Sequence, residues 1–366
     1  MGRQYGALLK NELRALFDQT DAAIGFDRPE TQALLQALEG MMEPRERQLL
    51  EGMAQETGLA LKQHEFLTAS LFFMYIGCSA CTATGSQTET GYTVAGRNFD
   101  NPRGVFSTLL KGQTLAVIYN PRSVSPGSRD NSVALVTELG WVYGLTNLNS
   151  KGVYIEYNNG TNSIPVDLAA VAESMDGLHQ NLFASLDCNT LEEVHEKLAD
   201  KAAAATLTQV ADKYRVWHYE RSPYQESRRI MAGEAKGGDF YYDNPADMDI
   251  FTNHFFFTDW LHQIHTDPTT FNLDHDSGSR TLARLVNVQQ LARSHAGRIN
   301  VERMKRIMTT PLQEDGTGGP LIGWELANPD VTIFTTVTDI ANGFLHIYPY
   351  VDSPQWVAVN VNQEFR

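Results

Sequence analysis

The sequence has few cysteines, few basic residues and no apolar run long enough for a membrane span. Three cysteines in 366 residues are an odd, low number, which argues against a disulfide framework. Against 44 acidic residues stand 29 basic ones, and the formal net charge of −15 makes a surface that repels polyanions. We therefore predict no nucleic acid partner.

The most apolar stretch, residues 67–81, is interrupted by Thr68, Ser70 and Ser79 and falls short of the ~18 to 20 apolar residues that a bilayer requires. We interpret it as a buried helix and predict no membrane span. Residues 1–10 lack the apolar core and cleavage site of a signal peptide. The sequence as given predicts a cytoplasmic protein, or an exported one if a leader has been removed.

Hydrophobic periodicity divides the chain at residue 80. Before it, apolar residues recur at helical spacing, with Pro29 and Pro44 at predicted helix starts and a fourth helix over residues 64–75. After it, β-branched and aromatic runs alternate with two further helical blocks, and Asn342-Gly343 predicts a two-residue hairpin turn near the end. Strands, helices, strands, helices and strands in this order predict an α+β fold with helices outside and sheets inside.

Cys81 lies where the pattern changes. If the Ala80–Cys81 bond were cut, Cys81 would carry a thiol and a free α-amine whose pKa of ~7.7 to 8.0 suits a general base at neutral pH. One residue would then supply both nucleophile and base. The alternative interpretation is an ordinary buried core cysteine.

Arg97 and Asp100 follow on the second strand of a hairpin that begins at Cys81. A cation there would favour the thiolate, and the carboxylate could bind the α-ammonium group. The other interpretation is a surface ion pair at a strand end. Cys78 and Cys81 also have C-x-x-C spacing, which leaves a redox or zinc pair open, although no second ligand pair accompanies them. We predict no metal and no cofactor.

The spacing of Cys81-Thr82, Arg97 and Asp100 resembles the start of the mature chain in the choloylglycine hydrolase family, which includes bile salt hydrolases and penicillin V acylases. The helical block before an Ala–Cys junction is similar to the prosegments of the isopenicillin N acyltransferase (C45) group and of the acid ceramidase and N-acylethanolamine amidase group. The resemblance implies a cysteine Ntn-hydrolase: a four-layer αββα sandwich over residues 81–366 behind a helical prosegment of residues 1–80.

Further motifs follow in the family's order. Residues 149–159 resemble its Asn-x-Lys-Gly-Leu segment, which implies an oxyanion-hole N–H from Asn159, with Asn158 as the competing position. Residues 250–255 resemble its "LTN" strand end, which implies a second donor from Asn253. Ser277 to Arg280 is similar to its Ser-x-x-Arg, which implies Arg280 near the nucleophile. Asparagines at strand ends also cap turns, so a structural role remains open.

Aromatic residues near these motifs suggest an apolar wall for an acyl group or, alternatively, core packing. They are Trp141, Phe255, Phe256 and Trp260.

The sequence therefore predicts a self-processing cysteine amidase that hydrolyses a linear amide of a small N-acyl compound through a thioester. An acyltransferase or an Ntn dipeptidase on the same fold is the alternative, and a non-catalytic binding protein is the alternative from another class. We expect a homo-oligomer or a heterodimer of the two cleavage products.

Overall fold

A computed structural model describes residues 1–70, 75–103, 109, 112–121, 131–160, 163–164, 180–202, 204–232, 243–257, 281–310, 332–350 and 354–365. The helices among them are α1 Gly2–Leu8, α2 Lys10–Ile24, α3 Pro29–Met41, α4 Pro44–Thr57, α5 Leu61–Ala69, α6 Gln180–Asp187, α7 Leu191–Leu198, α8 Thr281–Ser294, α9 Val301–Thr309 and α10 Val361–Glu364.

The strands form two antiparallel sheets. Sheet I, in the order β10-β1-β2-β11-β12-β13, contains β1 Tyr75–Ala83, β2 Val94–Arg103, β10 Met248–Phe251, β11 Thr332–Asp339, β12 Phe344–Pro349 and β13 Val357–Asn360. Sheet II runs in chain order and contains β3 Thr114–Tyr119, β4 Val133–Glu138, β5 Thr146–Asn149, β6 Tyr154–Asn159, β7 Thr206–Ala211, β8 Val216–Arg221 and β9 Arg228–Met231.

The two sheets pack face to face, with β1 of sheet I against β6 of sheet II. Helices α8 and α9 cover the outer face of sheet I, and α6 and α7 cover the outer face of sheet II. The predicted αββα sandwich behind a helical segment is thereby confirmed. None of the described helices is long and apolar enough to cross a bilayer.

Local sequence signals set several element boundaries. Pro29 and Pro44 occupy the first turns of α3 and α4, where a missing N–H leaves no bond unmade. Thr190 and Asn300 cap α7 and α9 by accepting hydrogen bonds from backbone N–H groups. The predicted hairpin turn is longer than two residues, because residues 340–343 connect β11 to β12 and Gly343 takes a φ of +68°.

Helices α1 to α5 pack on one another and against the end of sheet II. Leu16, Phe17 and Phe66 belong to the same hydrophobic cluster as Leu139 and Trp141, which lie at and beyond the end of β4. The helical segment is therefore part of a core that it shares with the sandwich.

The last helix before residue 80 is shorter than predicted. The predicted helix over residues 64–75 ends at Ala69, and β1 already begins at Tyr75, so Ala80 and Cys81 lie within a strand. Between β10 and β2, β1 is buried on both faces from Gly77 to Ala83. A strand buried on both faces is continuously apolar, and such a run cannot be distinguished from a buried helix by its period.

Candidate active site

Cys78 and Cys81 point to opposite faces of β1. Because strand side chains alternate, residues three apart face opposite ways. Thr82, of the same parity as Cys78, reaches Gln209 of sheet II, and Ser79, of the same parity as Cys81, reaches Arg284 of α8. Cys78 therefore faces the space between the sheets, and Cys81 faces the outer helices. Two thiols on opposite faces of one strand cannot form a disulfide or bind one metal ion together.

Arg97 accompanies Cys78, not Cys81. Its Nη2 lies 3.3 Å from the Cys78 Sγ and donates a hydrogen bond of 2.9 Å to the Tyr157 carbonyl oxygen on β6. The guanidinium is fully buried beside the Phe99 ring, 5.4 Å from its centroid. A buried cation at this distance stabilises a thiolate strongly, because little water screens it.

Cys81 occupies an apolar environment. It belongs to the hydrophobic cluster of α8 and α9, and its neighbour across the β1–β2 ladder is Gly96. A Cβ on Gly96 would lie 2.6 Å from the Met308 Cγ, so the helix packs directly on this part of the sheet. Burial raises the pKa of the Cys81 thiol, and nearby Asp249 raises it further. The structure therefore does not bring Arg97 and Asp100 to the Cys81 thiol, where the sequence analysis expected them.

Asn253 and Asn159 meet at the Cys78 backbone. The Asn253 Oδ1 accepts a hydrogen bond of 2.7 Å from the Cys78 N–H, and its Nδ2 donates one of 2.8 Å to the Asn159 carbonyl oxygen. Burial raises the pKa of the Cys78 thiol, while Arg97 and the Asn159 backbone N–H act in the opposite direction. The competing residue, Asn158, instead donates to the Thr252 carbonyl oxygen and ties β6 to the end of β10.

Arg284, on α8, is a site residue that the sequence analysis missed. Its Nη1 donates to the Cys78 carbonyl oxygen and, at 2.9 Å, to the Ser79 Oγ, and its Nη2 donates to the Asn253 Oδ1 at 2.8 Å. It lies four residues after the predicted Arg280, which is outside the described residues. The Ser-x-x-Arg motif pointed to the correct helix, and only the spacing of four residues hinted at the second arginine.

Asp100 lies on the face of β2 opposite to Arg97, beside Gly77. Its Oδ1 accepts a 2.5 Å hydrogen bond from the Thr332 Oγ1, and its Oδ2 lies 3.7 Å from the Arg284 Nη1. A Cβ on Gly77 would lie 3.3 Å from the Asp100 Cβ. Burial raises the pKa of this carboxyl, whereas Arg284 and the Thr332 hydrogen bond lower it. A carboxyl and a guanidinium thus flank the Gly77–Cys78 peptide bond.

The Gly77–Cys78 bond lies outside the part of β1 that pairs with strands on both sides. The ladder to β10 begins at Ala80, so at Cys78 the Asn253 side chain takes the position of a strand partner. The predicted cleavage bond, Ala80–Cys81, is instead paired with both β10 and β2. A cut there would interrupt a strand that is hydrogen-bonded on both sides.

The predicted aromatic wall divides into two separate clusters. Phe255 and Phe256 are fully buried in the cluster that contains Cys81, whereas Trp141 belongs to the cluster of Cys78 and Phe99. The Trp141 ring lies 6.2 Å from that of Phe99. Trp260 lies outside the described residues. Of the three described residues of the predicted wall, only Trp141 lies in the cluster of the Cys78 thiol.

The helical segment covers Trp141. Its indole N–H donates to the Ser70 Oγ at 3.0 Å, directly after α5, and the neighbouring Tyr143 hydroxyl donates to the Thr68 carbonyl oxygen at 3.3 Å. The Tyr143 ring stacks on Trp141 at 5.4 Å. The helical segment therefore contacts the aromatic side of the site. In the described part of the chain, no group of three residues is arranged to hold a metal ion.

Comparisons with known proteins found similarity in structure alone. No family model matches the sequence, and no curated protein matches it. A Caenorhabditis elegans N-acylethanolamine-hydrolyzing acid amidase ortholog is similar at 15% identity and a TM-score of 0.48, over 72% of this chain and 93% of that one. A Clostridium perfringens conjugated bile acid hydrolase is similar at 13% identity and a TM-score of 0.47, over 78% of this chain and 93% of that one. Penicillin V acylase from Agrobacterium tumefaciens is similar at 10% identity and a TM-score of 0.46, over 78% of this chain and 87% of that one. These are enzymes of the groups that the sequence motifs resemble.

Proposed function

We propose that this chain is a self-processing cysteine amidase whose nucleophile is Cys78, in place of the Cys81 expected from motif spacing. The observation that carries the proposal is the 3.3 Å approach of the Arg97 Nη2 to the Cys78 Sγ, beside a backbone that Asn253 holds. A thiol, a cation that favours its thiolate and an asparagine amide that can donate to an oxyanion together suit nucleophilic attack on an amide.

Maturation would cut the Gly77–Cys78 bond. The Cys78 Sγ attacks the Gly77 carbonyl carbon, the C–N bond breaks, and the Cys78 nitrogen leaves as an amine while a thioester to Gly77 forms. Water then hydrolyses the thioester and frees the thiol. Gly77 suits this step because its lack of a side chain leaves space against Asp100 and Arg284.

The mature site would use the new α-amine as the base. Its ordinary pKa of ~7.7 to 8.0 allows it to take the thiol proton near neutral pH, and Arg97 stabilises the thiolate that results. The ammonium group then lies within reach of the Asn253 Oδ1 and beside Asp100. The sulfur attacks the substrate carbonyl, the amine leaves with the ammonium proton, and water releases the acyl group.

The oxyanion of the tetrahedral intermediate would be held by the Asn159 N–H and the Asn253 Nδ2. Loss of one such donor costs ~10²- to 10³-fold in rate. Arg284 would position this pair, because it holds the Asn253 Oδ1 and the Cys78 carbonyl oxygen at once. We assign it a positioning role.

The two cleavage products would stay together as a heterodimer. Leu16, Phe17 and Phe66 of the helical segment are buried in one cluster with Trp141. Fully burying a side chain of this size stabilises an interface by about 1.5 to 3 kcal/mol. The cut would therefore give the site its α-amine without requiring the segment to leave.

The test is N-terminal sequencing and intact mass of the purified chain, followed by an amidase panel. We expect a mature chain that begins at Cys78 and loses activity on thiol alkylation. The panel holds bile salt conjugates, penicillin V and N-acylethanolamines, each with and without an added amine. Faster turnover with the amine would favour the acyltransferase, and release from unblocked dipeptides would favour the dipeptidase. A full-length chain that is active without processing would refute the maturation step.

A further inference from the structure

Glu156 is a fully buried carboxyl in the layer between the two sheets. It lies on β6 with Tyr154 and Asn158 on the same face, and Asn158 reaches across to sheet I. Its Oε2 accepts a 2.7 Å hydrogen bond from the Tyr154 hydroxyl. Its Oε1 accepts none from any described residue. A buried carboxyl with an unused oxygen is costly unless a charge nearby compensates for it.

The compensating charge is Arg97. Its Nη2 donates to the carbonyl oxygen of Tyr157, the residue next to Glu156. Its Nε and Nη1 have no hydrogen-bond partner among the described residues. Cross-strand neighbours also join the two groups, since Thr146 pairs with Glu156, Thr336 pairs with Arg97, and their hydroxyls lie 3.4 Å apart.

We propose that Glu156 is a positioning residue that shares the charge of Arg97 with the Cys78 thiol. Arg97 then acts on the thiol on its Nη2 side and on the carboxyl across the layer, and its charge also lowers the pKa of the buried carboxyls Glu138 and Asp100. Ionisation of the carboxyl weakens the hold of Arg97 on the thiolate, and loss of the carboxyl charge strengthens it. The inference rests on the proposed function in naming Cys78 as the thiol that matters.

The other groups around Glu156 leave Arg97 as its cation. Burial raises the pKa of Glu156 to about 8, while Arg97 and the Tyr154 hydroxyl lower it and Asp249 on β10 raises it. The charge of Glu156 in turn raises the pKa of Cys81, which faces away from Arg97. Burial raises the pKa of Cys78 as well, and we expect the two titrations to be coupled through Arg97, which acts on both groups.

The test is a thiol titration in a chain whose only thiol is Cys78, made with Cys81→Ala and Cys188→Ala. Thiolate absorbance against pH is measured for this chain and for its Glu156→Gln variant. We expect the thiol of the Glu156→Gln variant to ionise at lower pH than that of its parent, by about half a pKa unit to one unit. At a given pH below the midpoint, the variant should then contain about three- to tenfold more thiolate. No substrate is needed, so the outcome is independent of whether the chain proves to be an amidase.

Two variants control the experiment. Glu220→Gln removes another buried carboxyl of sheet II, one that accepts hydrogen bonds from the Phe256 and Phe257 N–H groups, and should leave the titration unchanged. Tyr154→Phe keeps the carboxyl but removes its donor, and should move the titration in the same direction by less. Circular dichroism checks the fold of each. Identical titrations for Glu156→Gln and its parent, or thiolate at higher pH in Glu156→Gln, would overturn the proposal.

Discussion

Replacing each of the two neighbouring cysteines by alanine separates nucleophile from core residue. Cys78→Ala and Cys81→Ala are a matched pair, because both thiols are fully buried on the same strand and each change removes one sulfur atom. The two changes differ in which face of β1 loses a thiol: the face toward sheet II for Cys78, and the face toward the outer helices for Cys81. The Cys78 sulfur lies 3.3 Å from the Arg97 Nη2, whereas the Cys81 sulfur lies in an apolar cluster.

The cost in stability should be similar for the two variants. Removing one buried atom of about the size of a methylene costs roughly 1 kcal/mol, including the small cavity that remains. Each variant should therefore fold with a modestly lowered melting temperature. The cost in activity should differ by orders of magnitude, since removing a covalent nucleophile costs on the order of a millionfold in kcat. Cys81→Ala should retain activity within about twofold.

The assay combines intact mass, thermal unfolding and amide hydrolysis on the same preparations. Cys78→Ala should remain at full length, because the atom that attacks the Gly77 carbonyl is missing. Cys81→Ala should be processed at the Gly77–Cys78 bond and keep its rate of hydrolysis.

The opposite pattern would refute the reasoning. If Cys81→Ala stayed at full length while Cys78→Ala was cut before residue 81, the motif spacing would outweigh the geometry of the uncut chain. If both variants lost processing to the same extent at equal melting temperatures, the assignment of Cys78 as nucleophile and Cys81 as core residue would also be contradicted.

Three further predictions concern Arg284, Thr332 and His64. Arg284→Met should destabilise the fold by about 3 to 5 kcal/mol, because it leaves the Asp100 charge buried without its cation, and should abolish processing. The double variant Arg284→Met with Asp100→Asn should regain part of this stability in denaturant unfolding, but it should not regain processing. Thr332→Val removes a hydrogen bond that lowers the pKa of Asp100, so the acidic limb of the pH–activity profile should move to higher pH, and Thr332→Ser should restore it. Burial lowers the pKa of His64 from 6.5 to about 4. As pH drops from 6.5 to 4, His64 is therefore protonated in the unfolded chain but not in the folded one, and the free energy of unfolding should fall by up to about 3 kcal/mol. A flat melting temperature over that range, or the same slope in His64→Gln, would contradict the last prediction.

Much of the architecture follows from the sequence alone. Helical periodicity before residue 80 and β-branched and aromatic runs after it predicted most described elements, because many of them have one buried face or, like α3 and α4, a proline at a predicted start. The types of the site residues were also readable, namely an arginine, a carboxylate, two asparagines and a cysteine, although the cysteine named was Cys81 and not Cys78. Their roles in catalysis remain predictions.

What the sequence could not decide is which side chains share a face. Cys78 and Cys81 differ by three positions, and the start of β1 at Tyr75 and its register with β2 determine which one meets Arg97. A strand buried on both sides carries no polar alternation from which that phase can be read, so spacing along the chain favoured Cys81, whereas the structure brings Arg97 to Cys78. Arg284 was missed for a similar reason, because only the packing of α8 on β1 brings its guanidinium to Cys78 and Asn253. Local patterns thus determined the elements and the chemical types of the site, and strand pairing together with helix-on-sheet packing decided which cysteine they surround.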